Sequence, residues 1–408
     1  MTIIRPLPSI RALAVLLGLS TAAIMAGPAE AMNTIVVDVA TGKVLSENNA
    51  TQRWYPASTT KLMATYVALK ALKSQEVSLD TPVVMSRAAA AEPPSKMAYP
   101  AGSVMRLDMA LRMMLVKSAN DVTYAIGQTL GKGSMETFVE RMNAEAAALG
   151  MKDTHFVNPN GLPAPGQYSS AKDLAILGVA LRKEFPEFSN YFATEAIAVG
   201  KGTMKNHNGL LGRYNGADGM KTGYICAAGF NLVASATRDN RTLIAVVLGA
   251  EGPIVRERTA AEILENGFNT NPRSIRDTVT DLPVSSGPPA DISEEICSPK
   301  GRTARANERQ EEDKREDTFG SPYMTDLQRP AVAFPVDLGS AAAGPGVEAG
   351  TRMIAAYGIP VPTWRPARPG EPGFEGELPV GSDAGAEHPA SPAAAAAEGA
   401  ETPATGAE

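Results

Sequence analysis

The order of strand-like and helical stretches in the first 270 residues limits the fold more than any other feature of the sequence. Residues 33–48 have the β-branched runs and the Thr41-Gly42 turn of a β-hairpin, and residues 231–236 and 243–248 are apolar, strand-like runs. Helical spacing of apolar residues occupies 56–72, 107–116, 121 onwards, 135–149, 170–183 and, after the last strand, 262–268. This order predicts an antiparallel sheet flanked by helices, in the α/β (α+β) class.

The first 31 residues have the features of a secretory signal peptide. Arg5 and Arg11 flank a short positive region, an apolar run extends from 12 to 26, and Ala29-Glu30-Ala31 supplies a small-x-small cleavage site. We therefore expect cleavage after Ala31, export to the periplasm or cell envelope, and no firm membrane anchor afterwards. The alternative is an uncleaved anchor, although the run is shorter than the ~20 residues that a spanning helix needs.

The composition changes after about residue 273. Pro, Gly, Ala and Glu dominate from there, and residues 301–318 are a mixed run of charges with almost no large apolar side chains. Such segments bury too little apolar surface to offset the entropy of folding. The sequence thus predicts three parts: the signal peptide 1–31, a folded domain 32–272 and a mostly disordered tail 273–408.

Charge and composition exclude several functions. The formal net charge is -6 with both signs interspersed, whereas a protein that binds nucleic acid or an anionic membrane carries a basic stripe. The 3 histidines and 2 cysteines show no metal-ligand spacing. We expect no metal, no cofactor and no nucleic-acid partner. With only three histidines in the sequence, few candidates exist for a His-centred catalytic triad.

Three short motifs carry the candidate chemistry: Ser58-Thr59-Thr60-Lys61, Ser118-Ala119-Asn120 and Lys221-Thr222-Gly223. Two other segments fit the first two patterns, Ser169-Ser170-Ala171-Lys172 and Ser46-Glu47-Asn48. The former is better explained as a helix start, and the latter precedes the first motif within the hairpin. The motif set is specific through its order, its spacing of about 60 and then about 100 residues, and the structural context of each member.

The chemistry of these residues is that of a serine nucleophile. Ser58 opens a helix after Pro56, where first-turn N–H groups lack helical partners and can hold an oxyanion. Lys61 lies one turn away on the same face, and burial or a nearby cation such as Lys221 would lower its pKa enough for it to act as a base. Taken singly, each motif also fits a helix cap, a solvated lysine or a plain turn.

The segments Tyr55–Lys61, Lys117–Asp121 and Asp218–Gly223 resemble the active-site motifs of the low-molecular-weight penicillin-binding proteins, and among them the serine-type D-alanyl-D-alanine carboxypeptidases. The flanking segments 166–171 and 229–237 are also similar, and the resemblance covers roughly residues 33 to 270. It implies a β-lactamase/transpeptidase-like fold and a substrate that ends in D-Ala-D-Ala.

The resemblance also implies roles for individual residues. Ser58 attacks the penultimate D-alanine, Lys61 takes its proton, and Ser118 and Lys221 pass a proton to the departing D-alanine. Asn120 holds the substrate amide and Thr222 the terminal carboxylate. Gly223 leaves room for substrate along its strand, and the N–H groups of Ser58 and Tyr224 form the oxyanion hole.

Further positions are open. Arg256 matches an arginine near the substrate carboxylate, or it is a surface arginine beside Glu257 and Arg258. Cys226 and Cys297 form a disulfide beside the site, or they are unrelated thiols. Many relatives have a β-rich second domain and an amphipathic membrane helix, and neither pattern follows residue 273 here.

The expected function is a D,D-carboxypeptidase acting on peptidoglycan stem peptides through a Ser58 acyl-enzyme, with β-lactams as covalent inhibitors. The alternatives are a D,D-endopeptidase with the same residues, a β-lactamase, and a non-catalytic wall-binding scaffold protein. A β-lactamase would need a Glu-x-x-x-Asn loop for deacylation, and Glu140-Arg141-Met142-Asn143 is one residue too short. The intact motif residues argue against the scaffold.

Overall fold

The computed structural model describes residues 32–312, 314–315 and 317–338, and the predicted signal peptide and the tail beyond 338 lie outside them. The strands in chain order are β1 (Asn33–Asp38), β2 (Val44–Asn48), β3 (Arg53–Trp54), β4 (Pro82–Val84), β5 (Val104–Arg106), β6 (Ser169–Ser170), β7 (Ala196–Val199), β8 (Gly202–Lys205), β9 (Ala217–Ile225), β10 (Gly229–Arg238), β11 (Arg241–Ala250) and β12 (Ala333–Pro335). The helices are α1 (Lys61–Lys73), α2 (Arg87–Ala91), α3 (Leu107–Val116), α4 (Asn120–Leu130), α5 (Met135–Ala148), α6 (Ala171–Glu184), α7 (Ser189–Phe192), α8 (Pro253–Asn269), α9 (Ser293–Cys297) and α10 (Pro299–Glu312).

An antiparallel sheet with the strand order β2-β1-β11-β10-β9 lies at the centre of the described chain. Its side chains alternate between two buried faces: Ile244 belongs to a core cluster that includes residues of α1 and α3 to α6, and Leu243 belongs to a second cluster that includes residues of α8. Burial on both faces explains why β11 is an almost continuous apolar run. The predicted antiparallel sheet flanked by helices is confirmed.

Two glycines bring the covering helices close to the sheet. A Cβ added to Gly178 of α6 would lie 3.0 Å from Ile244, and one added to Gly267 of α8 would lie 2.8 Å from Val36. A larger residue at either position would require the sheet side chain to move or the helix to shift outward, which disturbs a densely packed interior. Close packing on both faces therefore depends on small residues in the helices.

The chain from 273 to 338 differs from the disorder expected from its composition. Its backbone bonds to the domain, with the Val279 N–H donating to the Gly42 carbonyl at 2.9 Å and the Ala290 N–H to the Arg53 carbonyl at 3.2 Å. Strand β12 pairs in parallel with β7. Cys226 and Cys297 form a disulfide, which is one of the two alternatives that the sequence left open for these cysteines.

Sparse apolar side chains account for this difference. Five apolar side chains of the segment are buried against the domain: Val279, Ile292, Ile296, Met324 and Val336. Apart from Ile292 and Ile296, which are four residues apart at α9, they are widely spaced and follow no helical or strand period, because the segment fills gaps in a surface that other residues provide. Composition alone does not detect it.

Between residues 32 and 338, none of the described helices combines the length and apolarity that crossing a bilayer requires.

Candidate active site

Ser58 lies in a tight turn that precedes α1 and runs beside the edge strand β9. Residues Ala57–Thr60 form a single 3-10 turn that leads directly into α1. Ala57 is fully buried with φ +48, a left-handed conformation that non-glycine residues rarely adopt. Strain of this kind is found where a surrounding structure fixes a functional turn.

Two neighbours fix that turn. Buried Asn231 of β10 donates from Nδ2 to the carbonyls of Tyr55 and Pro56 at 3.0 and 3.3 Å, and its Oδ1 accepts from the Gly249 N–H at 3.1 Å. Gly161 passes over Ala57 so closely that a Cβ there would lie 1.7 Å from the Ala57 carbonyl oxygen. The sheet and the 158–161 loop therefore hold the serine turn from both sides.

Lys61 points back at the serine from the first turn of α1. Its Nζ donates to Ser58 Oγ at 2.9 Å, to Asn120 Oδ1 at 2.7 Å and to the Asn160 carbonyl at 3.0 Å. The side chain is fully buried. The three acceptors use the three hydrogens of an ammonium, and they leave a neutral amine aimed at the hydroxyl once a proton is lost.

Electrostatics favour that neutral form. Burial lowers the pKa of Lys61 well below the usual value of a lysine, the charge of Lys221 lowers it further, and Glu92 and Asp121 oppose the shift. Burial together with the nearby Arg256 also lowers the pKa of Lys221, to about 7. Lys221 can therefore exchange protons near neutral pH, and Lys61 is favoured in the neutral form that a general base requires.

The second motif lies between α3 and α4. Ser118 has φ +61. Asn120, which is 3% exposed, begins α4 and donates from Nδ2 to the carbonyls of Pro93 and Pro94 at 2.9 and 3.1 Å. Buried Asp121 accepts from the N–H groups of Met97 and Ala98. The break between the helices therefore presents Asn120 to Lys61 and also anchors the 92–98 loop.

The third motif lies on β9, at the free edge of the sheet. Lys221 is buried and donates from Nζ to the Thr222 carbonyl at 2.8 Å, and Thr222 is also buried. Gly223 runs beside the serine turn, and Tyr224 is 43% exposed with its ring 4.3 Å from that of Phe230. The edge of β9 next to Ser58 is thus open to an extended ligand.

Arg256 is not a surface residue. Its side chain is 5% exposed and donates from Nη2 to the His207 carbonyl at 3.0 Å and to Glu257. It lies close enough to Lys221 to lower that lysine's pKa. This burial excludes the interpretation of Arg256 as a surface arginine, which the sequence left open.

The other S-x-x-K segment belongs to the structural framework. Ser169 Oγ lies 2.9 Å from Thr154 Oγ1, and Lys172 Nζ lies 2.7 Å from buried Asp153. Ser170 caps α6 by accepting from the Asp173 N–H at 3.1 Å, as predicted.

The stretch that holds all three motifs is similar to known proteins. Residues 21–252 match the family described as D-alanyl-D-alanine carboxypeptidase. The chain belongs to this family. The resemblance stated from the motifs is thereby confirmed.

Individual members of the family are moderately similar. The carboxypeptidase DacD of Escherichia coli (strain K12) is 39% identical over 240 residues, which cover 57% of this chain and 62% of that protein. DacF of Bacillus subtilis (strain 168) is 35% identical over 267 residues, covering 63% of this chain and 68% of that protein. The chain thus spans less than two thirds of DacD.

Solved structures agree on the fold. Penicillin binding protein 6B from Escherichia coli shares 38% identity at a TM-score of 0.55, over 57% of this chain and 75% of that one. Penicillin-Binding Protein D2 from Listeria monocytogenes, solved in the ampicillin bound form, shares 29% identity at a TM-score of 0.53, over 58% of this chain and 96% of that one. The predicted transpeptidase-like fold is confirmed.

The structure adds residues to which the motifs gave no role. Asn160 supplies the third acceptor for Lys61, Glu92 contacts Asn160, and Asn231 holds the serine turn. Asn231 lies in one of the flanking segments that resemble the family, and the sequence alone assigns it no function. Glu92 lies in an Ala- and Pro-rich stretch of the sequence, and no local pattern marks it.

Proposed function

We propose that the protein is a serine D,D-carboxypeptidase that removes the terminal D-alanine from peptidoglycan pentapeptide stems. The observation that carries this proposal is the buried Lys61 amine 2.9 Å from Ser58 Oγ, with its pKa lowered by burial and by Lys221. A serine is a weak nucleophile until a neighbouring base takes its proton. Membership of the family supports the choice of substrate.

Acylation follows from this geometry. Ser58 Oγ attacks the carbonyl carbon of the penultimate D-alanine while Lys61 Nζ takes the hydroxyl proton. The N–H groups of Ser58 and Tyr224 hold the oxyanion. The C–N bond then breaks, the leaving amine of D-alanine gains a proton by way of Lys221 and Ser118, and an ester on Ser58 remains.

Deacylation consumes one water molecule. Lys61 takes a proton from the water as its oxygen attacks the ester carbonyl, and the proton returns to Ser58 Oγ when the ester bond breaks. The products are the shortened stem peptide with a free carboxylate and a regenerated serine. Asn120 holds the substrate amide, and Thr222 and Arg256 bind the terminal carboxylate. The negative charge of that carboxylate complements the positive charges of Lys221 and Arg256 in the cleft.

The same site would take β-lactams as covalent inhibitors, since attack by Ser58 opens the lactam ring and leaves an acyl-enzyme. A relative has been solved in the ampicillin bound form, which supports this partner. We also propose that the protein is exported, after cleavage of residues 1–31, to the periplasm or cell envelope, where peptidoglycan is found.

The test is D-alanine release from a pentapeptide ending in D-Ala-D-Ala. We expect release by the purified protein and loss of at least about a thousandfold in the Ser58→Ala variant, as for other serine nucleophiles. Exposed Ser46 belongs to the other S-x-N segment, and Ser46→Ala is the matched control that retains activity.

Absence of D-alanine release would contradict the proposed function. If neither the protein nor its Ser46→Ala control releases D-alanine, the carboxypeptidase proposal is wrong. Cross-linked muropeptide dimers and nitrocefin, offered in parallel, would then separate endopeptidase and β-lactamase activity from a non-catalytic scaffold.

A further inference from the structure

A closed ring of hydrogen bonds surrounds the amine of Lys61. Lys61 Nζ donates to the Asn160 carbonyl at 3.0 Å, and Asn160 Nδ2 donates to Glu92 Oε2 at 2.7 Å. From Glu92 the chain continues to Pro93 and Pro94, whose carbonyls accept from Asn120 Nδ2. Asn120 Oδ1 closes the ring at 2.7 Å from Lys61 Nζ. Two of the three acceptors of the lysine, Asn120 and Asn160, therefore also contact the segment that begins at Glu92, while the third is Ser58 Oγ.

The carboxylate occupies a defined place in that ring. Glu92 is partly buried at the C-terminal end of α2, and its partner Asn160 is 98% buried. An amide that is buried so deeply holds one orientation only if its N–H₂ group has an acceptor. Glu92 is that acceptor, and it thereby fixes the backbone on which the Asn160 carbonyl meets Lys61.

We propose that Glu92 is a positioning residue for acylation, whose carboxylate orients Asn160 and supplies the negative charge that balances Lys61. This inference rests on the proposed function, because it assigns a role in the same serine chemistry. Neither the motifs nor the function argued above requires an acidic residue at this position.

The charges around the lysine agree with this role. Lys61 is faced by Lys221 from β9, Asp121 from α4 and Glu92 from the end of α2, and the two carboxylates raise its pKa against burial and Lys221. Glu92 in turn lies near Asp121, Lys96 and Tyr124. Burial raises the pKa of Glu92, while Asn160 and Lys61 lower it. Lysine and glutamate therefore stabilise each other's charged forms.

Two substitutions separate charge from hydrogen bonding. Glu92→Gln keeps an acceptor for Asn160 and removes the charge, so the pKa of Lys61 falls. Because Lys61 must be neutral to act, the acid limb of the acylation rate moves to lower pH, by about half a unit or more. Glu92→Ala removes both contributions and also slows acylation at the plateau, by about tenfold, through misplacement of Lys61.

The readouts are the acylation rate with a fluorescent penicillin from pH 4 to 9 and the titration of Lys61 by NMR of ¹³C-labelled lysine. The resonance is assigned with Lys61→Arg, and Glu140→Gln, an exposed change on α5, is the control. We expect Glu92→Gln to shift both readouts downward and Glu140→Gln to shift neither.

An unshifted limb with an unshifted Lys61 titration in Glu92→Gln overturns the inference, whether or not the rate itself falls. The titration does not depend on turnover. A protein that releases no D-alanine but shows the downward shift loses the proposed function and keeps the Glu92–Lys61 coupling.

Discussion

Gly223 passes Ser58 at backbone contact distance. A Cβ added to Gly223 would lie 3.0 Å from the Ser58 nitrogen, 3.0 Å from the Pro56 carbonyl oxygen and 3.1 Å from the Thr59 nitrogen. All three are backbone atoms, which cannot rotate away as a side chain can. The edge strand and the serine turn are therefore spaced by the absence of a side chain at this one position.

Gly223→Ala should consequently slow acylation with little loss of fold. The new methyl group pushes β9 and the serine turn apart by a few tenths of an ångström, which displaces the Tyr224 N–H from the oxyanion. We expect acylation by a fluorescent penicillin to fall about tenfold or more. Gly287→Ala, where the added Cβ meets open space, should match the unchanged protein. Equal rates in both variants would show that the close approach does not matter.

Lys221 should make stability depend on pH. Its pKa is about 7 in the folded protein and close to 10.5 when unfolded, so between those values the unfolded chain binds a proton that the folded chain lacks. Stability therefore rises with pH across this window, and below about 7 the full cost of burying the charge remains. Lys221→Met should be more stable than the unchanged protein at pH 6.5, by on the order of 3 kcal/mol, and the difference should shrink toward pH 10.

Urea unfolding at a series of pH values measures that difference. Lys152→Met, a change at an exposed lysine, should give a difference that does not vary with pH. A constant difference for Lys221→Met as well would mean that Lys221 keeps an ordinary pKa when buried.

Residues with periodic or motif-like surroundings could be predicted from the sequence. The hairpin at 33–48, α3, α5 and α6 follow from apolar spacing and capping, and the position of Ser58 follows from Pro56 and the start of a helix. A lowered pKa of Lys61 could be expected from its chemistry, through burial or a nearby cation such as Lys221, and the structure shows Lys61 fully buried. These features depend on neighbours in sequence.

Features that depend on contacts between residues far apart in the sequence could not be predicted. Glu92, Asn160 and Lys61 converge because loops from three parts of the chain meet, and nothing near Glu92 in the sequence records the contact. Strand β12 forms because β7 offers an unpaired edge, although Ala333–Pro335 has a proline and no strand period. Long-range pairing of this kind is chosen by the partner surface rather than by local propensity.

Phe334 should hold the segment around β12 against the domain. The buried Arg112 guanidinium carbon lies 3.7 Å from the Phe334 ring centroid and 4.0 Å from that of Tyr191, so it contacts both aromatic rings. A desolvated contact of this type contributes up to about 2 kcal/mol. Phe334→Ala should therefore speed amide exchange at Val336, which donates to the Ala198 carbonyl, by about tenfold or more.

Hydrogen exchange with peptide resolution measures this opening. Val332, which is 64% exposed, provides the control Val332→Ala, and we expect no change there. If both variants exchange alike, backbone pairing alone holds β12.

Asn231 should be required for the serine turn because it is the side chain that joins Tyr55 and Pro56 to the sheet. Asn231→Asp keeps the size and still accepts from the Gly249 N–H, but it places a carboxylate oxygen against the two carbonyls that Asn231 Nδ2 now serves. The fully buried site then lacks two hydrogen bonds and gains a repulsion, at a cost of about 2–4 kcal/mol in the free energy of unfolding.

Acylation should slow about tenfold or more as the turn shifts. Protonation of the new carboxylic acid restores one donor, so the defect in rate relative to the unchanged protein should lessen as the pH falls. Asn190→Asp, at an exposed asparagine, is the control. Unchanged kinetics in Asn231→Asp, or a defect of the same size at every pH, would contradict the assigned role.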